Sequence, residues 1–394
     1  MQANTLPKAL IDITGKQPDR IALRMKEYGI WRDITWRQYL ENVRRTALGL
    51  HHIGVKRGDH VAIIGENKPE WLYSAFGVMS LGATFVGVYT TNPPKECEYV
   101  IDHSDSVVFI CEDEEQMNKA FLFRMNTPNL KKIIVWDMEG LRDLDDPMVI
   151  SFDEIMEIGG KADEENPTLF DRFVGEGNPR DIAGIIYTSG TTGPPKGAML
   201  NHEGYLWVGE QAAKITQAGR EDESISFLPL NHVYEQIFDL MMHMTVGHIV
   251  NFTENTDTVM NDMMDVSPTI FHAVPRIWEK YYSAIVLKMA DATWFKRTAY
   301  GQAVRIGSKY NDLRLAGRKI PLPLYVGYHL AYFCVFRKLK ERLGFDRTRL
   351  GFSGAAPISH DIIKFFQSIG IPIREGYGMT ETTGVTHMGS EFEF

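Results

Sequence analysis

Residues 187–200 read Tyr-Thr-Ser-Gly-Thr-Thr-Gly-Pro-Pro-Lys-Gly-Ala-Met-Leu and directly follow an apolar run at residues 182–186. The run predicts a buried strand, and the loop behind it combines glycines, one lysine and four Ser or Thr hydroxyls. Glycines let a backbone bring its N–H groups against a ligand, and a lysine adds a positive charge suited to phosphate. The stretch therefore predicts an α/β protein with a phosphate-binding loop. The residues assigned to that loop are Thr188, Ser189, Gly190, Thr191, Thr192, Gly193 and Lys196.

This loop differs from two other nucleotide-binding motifs. A Walker A loop requires Gly-Lys-Ser/Thr, but here Pro195 precedes Lys196 and Gly197 follows it. The dinucleotide-binding pattern Gly-x-Gly-x-x-Gly follows none of the predicted strands. A flexible surface turn is the remaining alternative, and such a turn would not require four hydroxyls and a lysine.

Length and composition indicate a globular protein of two or three packed units, with 394 residues, 44% hydrophobic and 24% charged. The formal net charge is −9 and no stripe of Lys and Arg is evident, which argues against a nucleic-acid partner. The three cysteines, Cys97, Cys111 and Cys334, are widely spaced and form no Cys-x-x-Cys pair. We therefore expect a reducing, cytosolic compartment, and the N-terminus lacks the apolar core of a signal peptide.

Helix and strand signals alternate along the chain. Thr35-x-x-Gln38 is a capping box that predicts a helix, and Asn67 is expected to cap a later helix with Pro69 near its start. Strands are predicted at residues 60–64, 84–89, 107–111, 131–136, 182–187, 226–230, 248–252, 269–274 and 350–353. This rhythm predicts two packed, predominantly parallel sheets covered by helices.

Two stretches bear on domain organisation and on membranes. The polar, Gly- and Pro-rich stretch at residues 159–181 is the predicted linker between a first α/β subdomain, residues 1–180, and a second, residues 181–394, which carries the nucleotide site. An apolar run at residues 324–336 is too short to span a membrane, which requires roughly 20 residues. Basic residues flank this run, so a buried helix and a peripheral membrane-contacting patch both stay open.

Two further motifs follow predicted strands. In Gly376-Tyr-Gly-Met-Thr-Glu-Thr-Thr383, Tyr377 can offer a flat face to a purine, Thr380 a hydroxyl to a phosphate, and Glu381 an oxygen ligand to Mg²⁺. In Phe352-Ser-Gly-Ala-Ala-Pro-Ile358, small residues leave room for a planar ring to lie against the backbone. A close strand–helix contact would explain this second motif equally well.

A lone histidine is more often structural than functional, but His232 lies in the motif at residues 227–236, after a predicted strand and a proline turn. At that place an imidazole would project from the sheet edge into a cleft. Arg276, in the segment at residues 273–280, is either a cation near a substrate or a salt-bridge partner.

Taken together, these motifs resemble those of the AMP-forming acyl/adenylate ligase superfamily, which includes acyl-CoA synthetases, luciferases and the adenylation domains of peptide synthetases. The 187–200 loop resembles the family's phosphate-binding signature, residues 376–383 its second core motif, and residues 352–358 its adenine-binding segment. Residues 65–71 and 274–278 resemble the long-chain fatty acyl-CoA synthetase branch.

The resemblance implies a reaction in which ATP, Mg²⁺ and CoA convert a small-molecule carboxylate into an acyl-adenylate and then a thioester. It assigns the β- and γ-phosphates to Lys196 and the loop hydroxyls, Mg²⁺ to Glu381 and the α-phosphate to Thr380, with His232 near the reacting carboxylate. The residues assigned to the adenosine end are Gly354, Ala355, Ala356, Gly376, Tyr377 and Gly378. In this family the subdomains also interleave in sequence.

Family members continue beyond the last motif with a ribose-binding Thr-Gly-Asp motif, a hinge and a small mobile domain that carries a second catalytic lysine. This sequence stops at Phe394 and contains no Thr-Gly-Asp. We therefore expect a C-terminally truncated form, either a fragment or a natural short form, that binds nucleotide but turns over poorly. An impaired nucleotide- or acyl-binding module, and an aryl rather than a fatty acid substrate, stay open as alternatives.

Overall fold

A computed structural model describes residues 3–188 and 193–389 of the chain. The chain divides into two compact units. Unit 1 comprises Met1–Arg220 and Ser226–Phe252, and unit 2 comprises Glu221–Ile225 and Thr253–Phe394. The subdomains thus interleave in sequence, as the family resemblance implies.

Fifteen strands occur in the described residues. They are β1 (Ile21–Glu27), β2 (Ile30–Thr35), β3 (His60–Ile64), β4 (Thr84–Val88), β5 (Ser106–Cys111), β6 (Lys132–Val135), β7 (Val149–Ser151), β8 (Ile182–Thr188), β9 (Lys196–Asn201), β10 (Glu223–Ser226), β11 (Ile249–Phe252), β12 (Ile270–Ala273), β13 (Leu350–Ser353), β14 (Ile373–Met379) and β15 (Gly384–Met388).

Sixteen α-helices cover these strands in the same part of the chain. They are α1 (Leu6–Lys16), α2 (Trp36–His52), α3 (Pro69–Ser80), α4 (Pro94–His103), α5 (Glu114–Phe123), α6 (Phe152–Glu165), α7 (Leu169–Gly175), α8 (His202–Thr216), α9 (Val233–Gln236), α10 (His243–Val246), α11 (Val259–Val266), α12 (Pro275–Ala290), α13 (Trp294–Leu315), α14 (Leu322–Ala331), α15 (Arg337–Glu341) and α16 (His360–Ser368). Two π-helical segments (Ile237–Met242 and Tyr332–Phe336) and a 3-10 turn (Thr380–Thr382) complete the elements.

Parallel pairing dominates the sheets. Unit 1 holds a seven-stranded sheet of order β7-β6-β5-β3-β4-β8-β9, parallel except for the β8–β9 pair. A second sheet pairs β1 in parallel with β11 and antiparallel with β2. In unit 2 the order is β12-β13-β14-β15, with only β14–β15 antiparallel. The predicted class, mostly parallel sheets flanked by helices, is confirmed, although the described strands form three sheets rather than two.

The predicted boundary at residue 180 and the predicted linker at residues 159–181 are wrong. Strand β8 pairs with β4 in register Gly87↔Ile186, so it belongs to the sheet of unit 1. The linker region instead contains the second half of α6 and all of α7. Gly159, which looked like a linker residue, is a close-packing residue, because a Cβ there would overlap the carbonyl oxygen of Arg45 on α2. The chain instead passes between the units after Arg220, after Ile225 and, for the last time, after Phe252 at the end of β11.

Residues 221–225 join unit 2 through ion pairs with much later residues. Arg349 contacts Asp222 at 2.6 Å, and Arg347 contacts Glu223 at 2.6 Å. Thr269 Oγ1 also donates to Asp222 Oδ1 at 2.7 Å. These contacts tie a five-residue segment from the middle of the chain to strands that begin at residue 270 and later.

The apolar run at residues 324–336 forms most of α14 and the π-helical segment after it. Within the run only Ala331 and Phe336 are buried, so its burial is one-sided rather than complete. Among the described helices, none is both long and apolar enough to cross a bilayer.

Candidate functional site

The phosphate-loop residues lie on a hairpin at the carboxyl end of β8. Thr188 ends β8, Lys196 begins β9, and the two are direct partners in the antiparallel register. Gly193 between them has φ +90°, a conformation that favours glycine. Tyr99 fixes the returning arm, because its hydroxyl donates to the carbonyl oxygen of Pro195 at 2.9 Å. The remaining assigned residues, Ser189, Gly190, Thr191 and Thr192, lie outside the described part of the chain.

Asn67 holds the loop that leads to His232. Its Nδ2 donates to Ser226 Oγ at 2.8 Å and to the carbonyl oxygen of Leu228 at 2.6 Å. Its Oδ1 accepts from the N–H of Leu230 at 3.0 Å. The predicted capping role of Asn67 is wrong, since the N-cap of α3 is Lys68 and makes no side-chain cap hydrogen bond. The predicted strand at residues 226–230 is wrong as well: β10 ends at Ser226, and beyond it the backbone is held by the Asn67 side chain.

Two buried polar side chains secure the same loop from its other end. Glu235 Oε1 accepts from the N–H of Phe227 at 3.0 Å, and Gln236 Nε2 donates to the carbonyl oxygen of Leu230 at 2.7 Å. Tyr205 in turn donates to Gln236 Oε1 at 2.6 Å. Burial raises the pKa of Glu235 to about 8, so this carboxyl group is largely protonated at neutral pH. Sequence reasoning missed both residues, although they lie three and four positions after His232 in the same motif.

His232 is a neutral hydrogen-bond donor. Its backbone N–H donates to the carbonyl oxygen of Pro229 at 2.9 Å, and its Nδ1 accepts from the N–H of Tyr234 at 3.0 Å, which makes it the N-cap of α9. Burial lowers the pKa of the imidazole. Because Nδ1 accepts, the single proton of the neutral ring resides on Nε2, and that nitrogen can donate to an anionic oxygen.

Unit 1 brings the His232 loop and the hairpin to one edge of its seven-stranded sheet. Asn231 packs on Gly87 of β4 so closely that a Cβ on Gly87 would lie 2.9 Å from the Cβ of Asn231. Gly87 pairs with Ile186 on β8, two residues before Thr188. Both features therefore lie towards the carboxyl ends of parallel strands, where ligands bind in open α/β sheets.

Unit 2 groups the predicted adenosine-end residues in the same manner. Strands β13 and β14 are parallel and in register at Ser353↔Glu375. Gly354, Ala355 and Ala356 follow β13, while Gly376, Tyr377 and Gly378 continue β14 past that point and pair with β15. The outcome is a carboxyl edge with an exposed aromatic ring and an exposed Ala355–Ala356 turn, in which Ala355 takes φ 67°.

Three further residues extend that edge. Thr380 and Glu381 form the 3-10 turn that ends β14, with Thr380 buried and Glu381 exposed. Arg276 is the second residue of α12, just after β12, whose last residue Ala273 is in register with Ser353. Across residues 3–188 and 193–389, no group of three or more His, Cys, Asp or Glu is placed to hold a metal ion. A single carboxylate fits Mg²⁺ only in the mode in which the ion takes its other oxygens from water and substrate phosphates.

The amino-acid sequence is similar to that of a known protein family and of curated proteins. Residues 12–393 match the protein family described as AMP-binding enzyme. Long-chain-fatty-acid–CoA ligase ACSBG2 of Rattus norvegicus is 34% identical over 372 residues, covering 92% of this chain and 54% of that protein. Long-chain-fatty-acid–CoA ligase ACSBG1 of Homo sapiens is 31% identical over 397 residues, covering 99% of this chain and 54% of that protein. The chain thus spans about half the length of these curated relatives.

Solved structures share the fold at lower identity. The anthranilate CoA ligase AuaEII in complex with anthranoyl-AMP superposes with a TM-score of 0.72 at 19% identity, over 99% of this chain and 62% of that one. A long-chain-fatty-acid-CoA ligase (FadD1) from Archaeoglobus fulgidus gives a TM-score of 0.69 at 16% identity, over 98% of this chain and 66% of that one.

Proposed function

This chain belongs to the AMP-binding enzyme family, and we propose that it provides the nucleotide site for ATP-dependent activation of a carboxylic acid, first to an acyl-adenylate and then to acyl-CoA. The observation that carries the proposal is the direct pairing of Thr188 with Lys196 at the base of the Gly- and hydroxyl-rich hairpin. That pairing supports a lysine and a hydroxyl held on opposite arms of one loop, at the sheet edge to which the His232 loop also belongs.

The first step must bring together two anions, the carboxylate and the α-phosphate, so its barrier is repulsion and alignment. In the proposal Lys196, Thr188 and the loop hydroxyls hold the β- and γ-phosphates and offset their charge. Thr380 donates to the α-phosphate. Glu381 would hold Mg²⁺, which would supply positive charge to the phosphate oxygens. The Nε2–H of His232 donates to an oxygen of the carboxylate or of the α-phosphate. Pyrophosphate then leaves, and the thiol of CoA displaces AMP.

The adenosine end is assigned to unit 2. The ring of Tyr377 and the small residues Gly354, Ala355 and Ala356 are proposed to sandwich the adenine, with Gly376 and Gly378 letting the backbone approach it. The exposure of the Tyr377 ring and of the Ala355–Ala356 turn supports this assignment.

The proposed substrate is a long-chain fatty acid, because the relatives at 31–34% identity bear that name. Such acids partition into membranes, so the proposal includes a cytosolic protein in peripheral contact with a bilayer. An impaired nucleotide- or acyl-binding module stays the second candidate, and the exchange assay below separates it from the ligase.

ATP–pyrophosphate exchange with a panel of fatty and aryl acids tests the proposal on this chain and on any longer natural form. Exchange that depends on fatty acids supports the ligase proposal, and exchange that depends on aryl acids alone reassigns the substrate. ATP binding with no exchange by either form supports the binding module. If neither form binds ATP and neither catalyses exchange, both candidates are contradicted.

A further inference from the structure

The segment at residues 322–336, named here the outer segment, turns apolar side chains towards solvent. Leu322, Val326, Leu330 and Phe333 are between 48% and 73% exposed. Their spacing of four, four and three residues puts them on one face of the helix. A surface helix of a globular protein ordinarily carries polar residues on that face, so a continuous apolar outer stripe indicates an interaction surface.

The opposite face of the outer segment is packed firmly. Tyr328 stacks on Tyr310 of α13, with ring centroids 4.0 Å apart and planes 7° apart. Phe336 is fully buried, and a Cβ on Gly307 of α13 would lie 3.2 Å from its ring. The outer stripe is therefore held in place by its own helix pair and is not a frayed terminus.

Charge around the outer segment is opposite to that of the whole chain. Residues 286–345 contain twelve Lys and Arg against three Asp and Glu, a net charge of +9 in a chain of net charge −9. Arg318 and Lys319 precede the stripe, and Arg337 and Lys338 follow it, all four exposed. The overall acidic balance of the chain conceals this local excess of basic residues.

We propose that the outer segment docks onto an anionic lipid bilayer, lying in the plane of the interface rather than crossing it. The apolar stripe enters the boundary between head groups and acyl chains, and the flanking Arg and Lys side chains contact lipid phosphates. The charge reversal selects this occupant: a second copy of this chain docked on the same face would bring residues 286–345, with a net charge of +9, against the same +9, whereas an anionic membrane complements that charge.

Vesicle co-sedimentation tests the proposal on this chain and on any longer natural form. The vesicles are phosphatidylcholine alone and phosphatidylcholine mixed with phosphatidylglycerol. We expect binding to the mixed vesicles that weakens as salt shortens the range of the attraction, and weaker binding to phosphatidylcholine alone.

Variants separate the two parts of the surface. Leu330→Glu combined with Phe333→Glu is expected to weaken partitioning at least about tenfold, because two large apolar side chains leave the interface. The matched control is Ile30→Glu, at a residue that is 66% exposed on β2, and it is expected to leave partitioning unchanged. Replacing Arg318, Lys319, Arg337 and Lys338 by Gln is expected to remove the preference for anionic vesicles, which keeps the test informative if the first variant unfolds.

Three results would overturn the proposal. The first is equal sedimentation of the wild type and the Leu330→Glu, Phe333→Glu variant. The second is a dimer in sedimentation velocity that this variant dissolves, since a second copy would then cover the face. The third is that the present chain binds vesicles but a longer natural form does not, since the additional residues would then cover the apolar face of the outer segment.

Discussion

Glu235 accepts a hydrogen bond from the backbone N–H of Phe227 at 3.0 Å, so a fully buried carboxyl group closes the loop that ends at His232. Ser226, Asp239 and the backbone of Leu228 also hydrogen-bond to it. Desolvation nevertheless dominates and raises the pKa to about 8. A carboxyl group in the neutral form thereby holds the candidate site together, and its proton has a measurable consequence for stability.

Stability is expected to fall as pH rises through the neutral range. The folded-state pKa of Glu235 lies near 8, above its ordinary value of 4.5, so the folded protein keeps a proton that the unfolded chain releases. Between these two values this proton makes the free energy of unfolding decline, by at most about 1.4 kcal/mol per pH unit, and the decline ends above the folded-state pKa. Chemical denaturation at a series of pH values measures the slope.

Glu235→Gln is the matched variant for that slope, because a carboxamide imitates the protonated carboxyl. Its free energy of unfolding should depend less steeply on pH than that of the wild type. Because Asp239 hydrogen-bonds to Glu235, the difference in slope reports the ionisation of this pair of carboxyl groups. Identical slopes for the two proteins would show that Glu235 ionises normally.

Asn67→Ala should destabilise the protein by about 2–3 kcal/mol, because three hydrogen bonds to residues 226–230 are lost together. The same variant should slow the ATP–pyrophosphate exchange that depends on the carboxylic acid substrate, since the loop positions His232. Asn118→Ala is the control: that exposed side chain makes one long contact to Glu114 at 3.5 Å, and its loss should stay within about 0.5 kcal/mol. Urea denaturation and rates of ATP–pyrophosphate exchange check both variants. Equal free energies of unfolding for Asn67→Ala and Asn118→Ala would contradict the role of Asn67 in holding the loop.

Gly378→Ala and Gly376→Ala form a pair of opposite outcomes on one strand. A Cβ at residue 378 would overlap the carbonyl oxygen of Gly384, whereas at residue 376 the nearest atom would be 3.7 Å away. We expect a loss of about 1–3 kcal/mol for Gly378→Ala, as strands β14 and β15 are forced apart. Gly376→Ala should be nearly neutral for folding, and denaturation midpoints compare the two. A tolerated Gly378→Ala would mean that the strands are free to separate.

Lys196→Met tests the proposed phosphate contact directly. Loss of a charge that stabilises the reacting phosphates should reduce exchange roughly 100-fold while leaving the thermal unfolding midpoint close to that of the wild type. Lys214→Met, on the exposed surface of α8, is the control and should change neither quantity. An unaltered rate of ATP–pyrophosphate exchange in Lys196→Met would show that Lys196 does not stabilise the reacting phosphates.

Local signals in the sequence predicted local structure well. The capping box at Thr35 forms as expected, with Gln38 Oε1 accepting from the N–H of Thr35 at 2.8 Å. Strands β3 and β13 match the predicted ranges, because short apolar runs bounded by turn residues leave little choice.

Long-range partners were beyond the reach of the same reasoning. Asn67 looked like a helix cap because Pro69 follows it, yet its partners lie about 160 residues later. Glu235 looked like one more charged residue, and only its complete burial reveals a neutral carboxyl group. Gly159 suggested a flexible linker, although its lack of a side chain serves helix packing. The site assignments to Lys196, His232, Thr380 and Glu381 stay predictions. Lys196→Met tests the first of them directly, and Asn67→Ala tests the loop that positions His232.

The ion pairs of Asp222 with Arg349 and of Glu223 with Arg347 limit where recombination can divide the gene without separating their partners. A recombination event that transferred only residues 253–394 would leave behind both carboxylates that unit 2 draws from residues 221–225. A single crossover between two genes of this family therefore keeps all of unit 2 from one parent only if it falls before residue 221. Such a crossover also transfers β11, the last strand of unit 1.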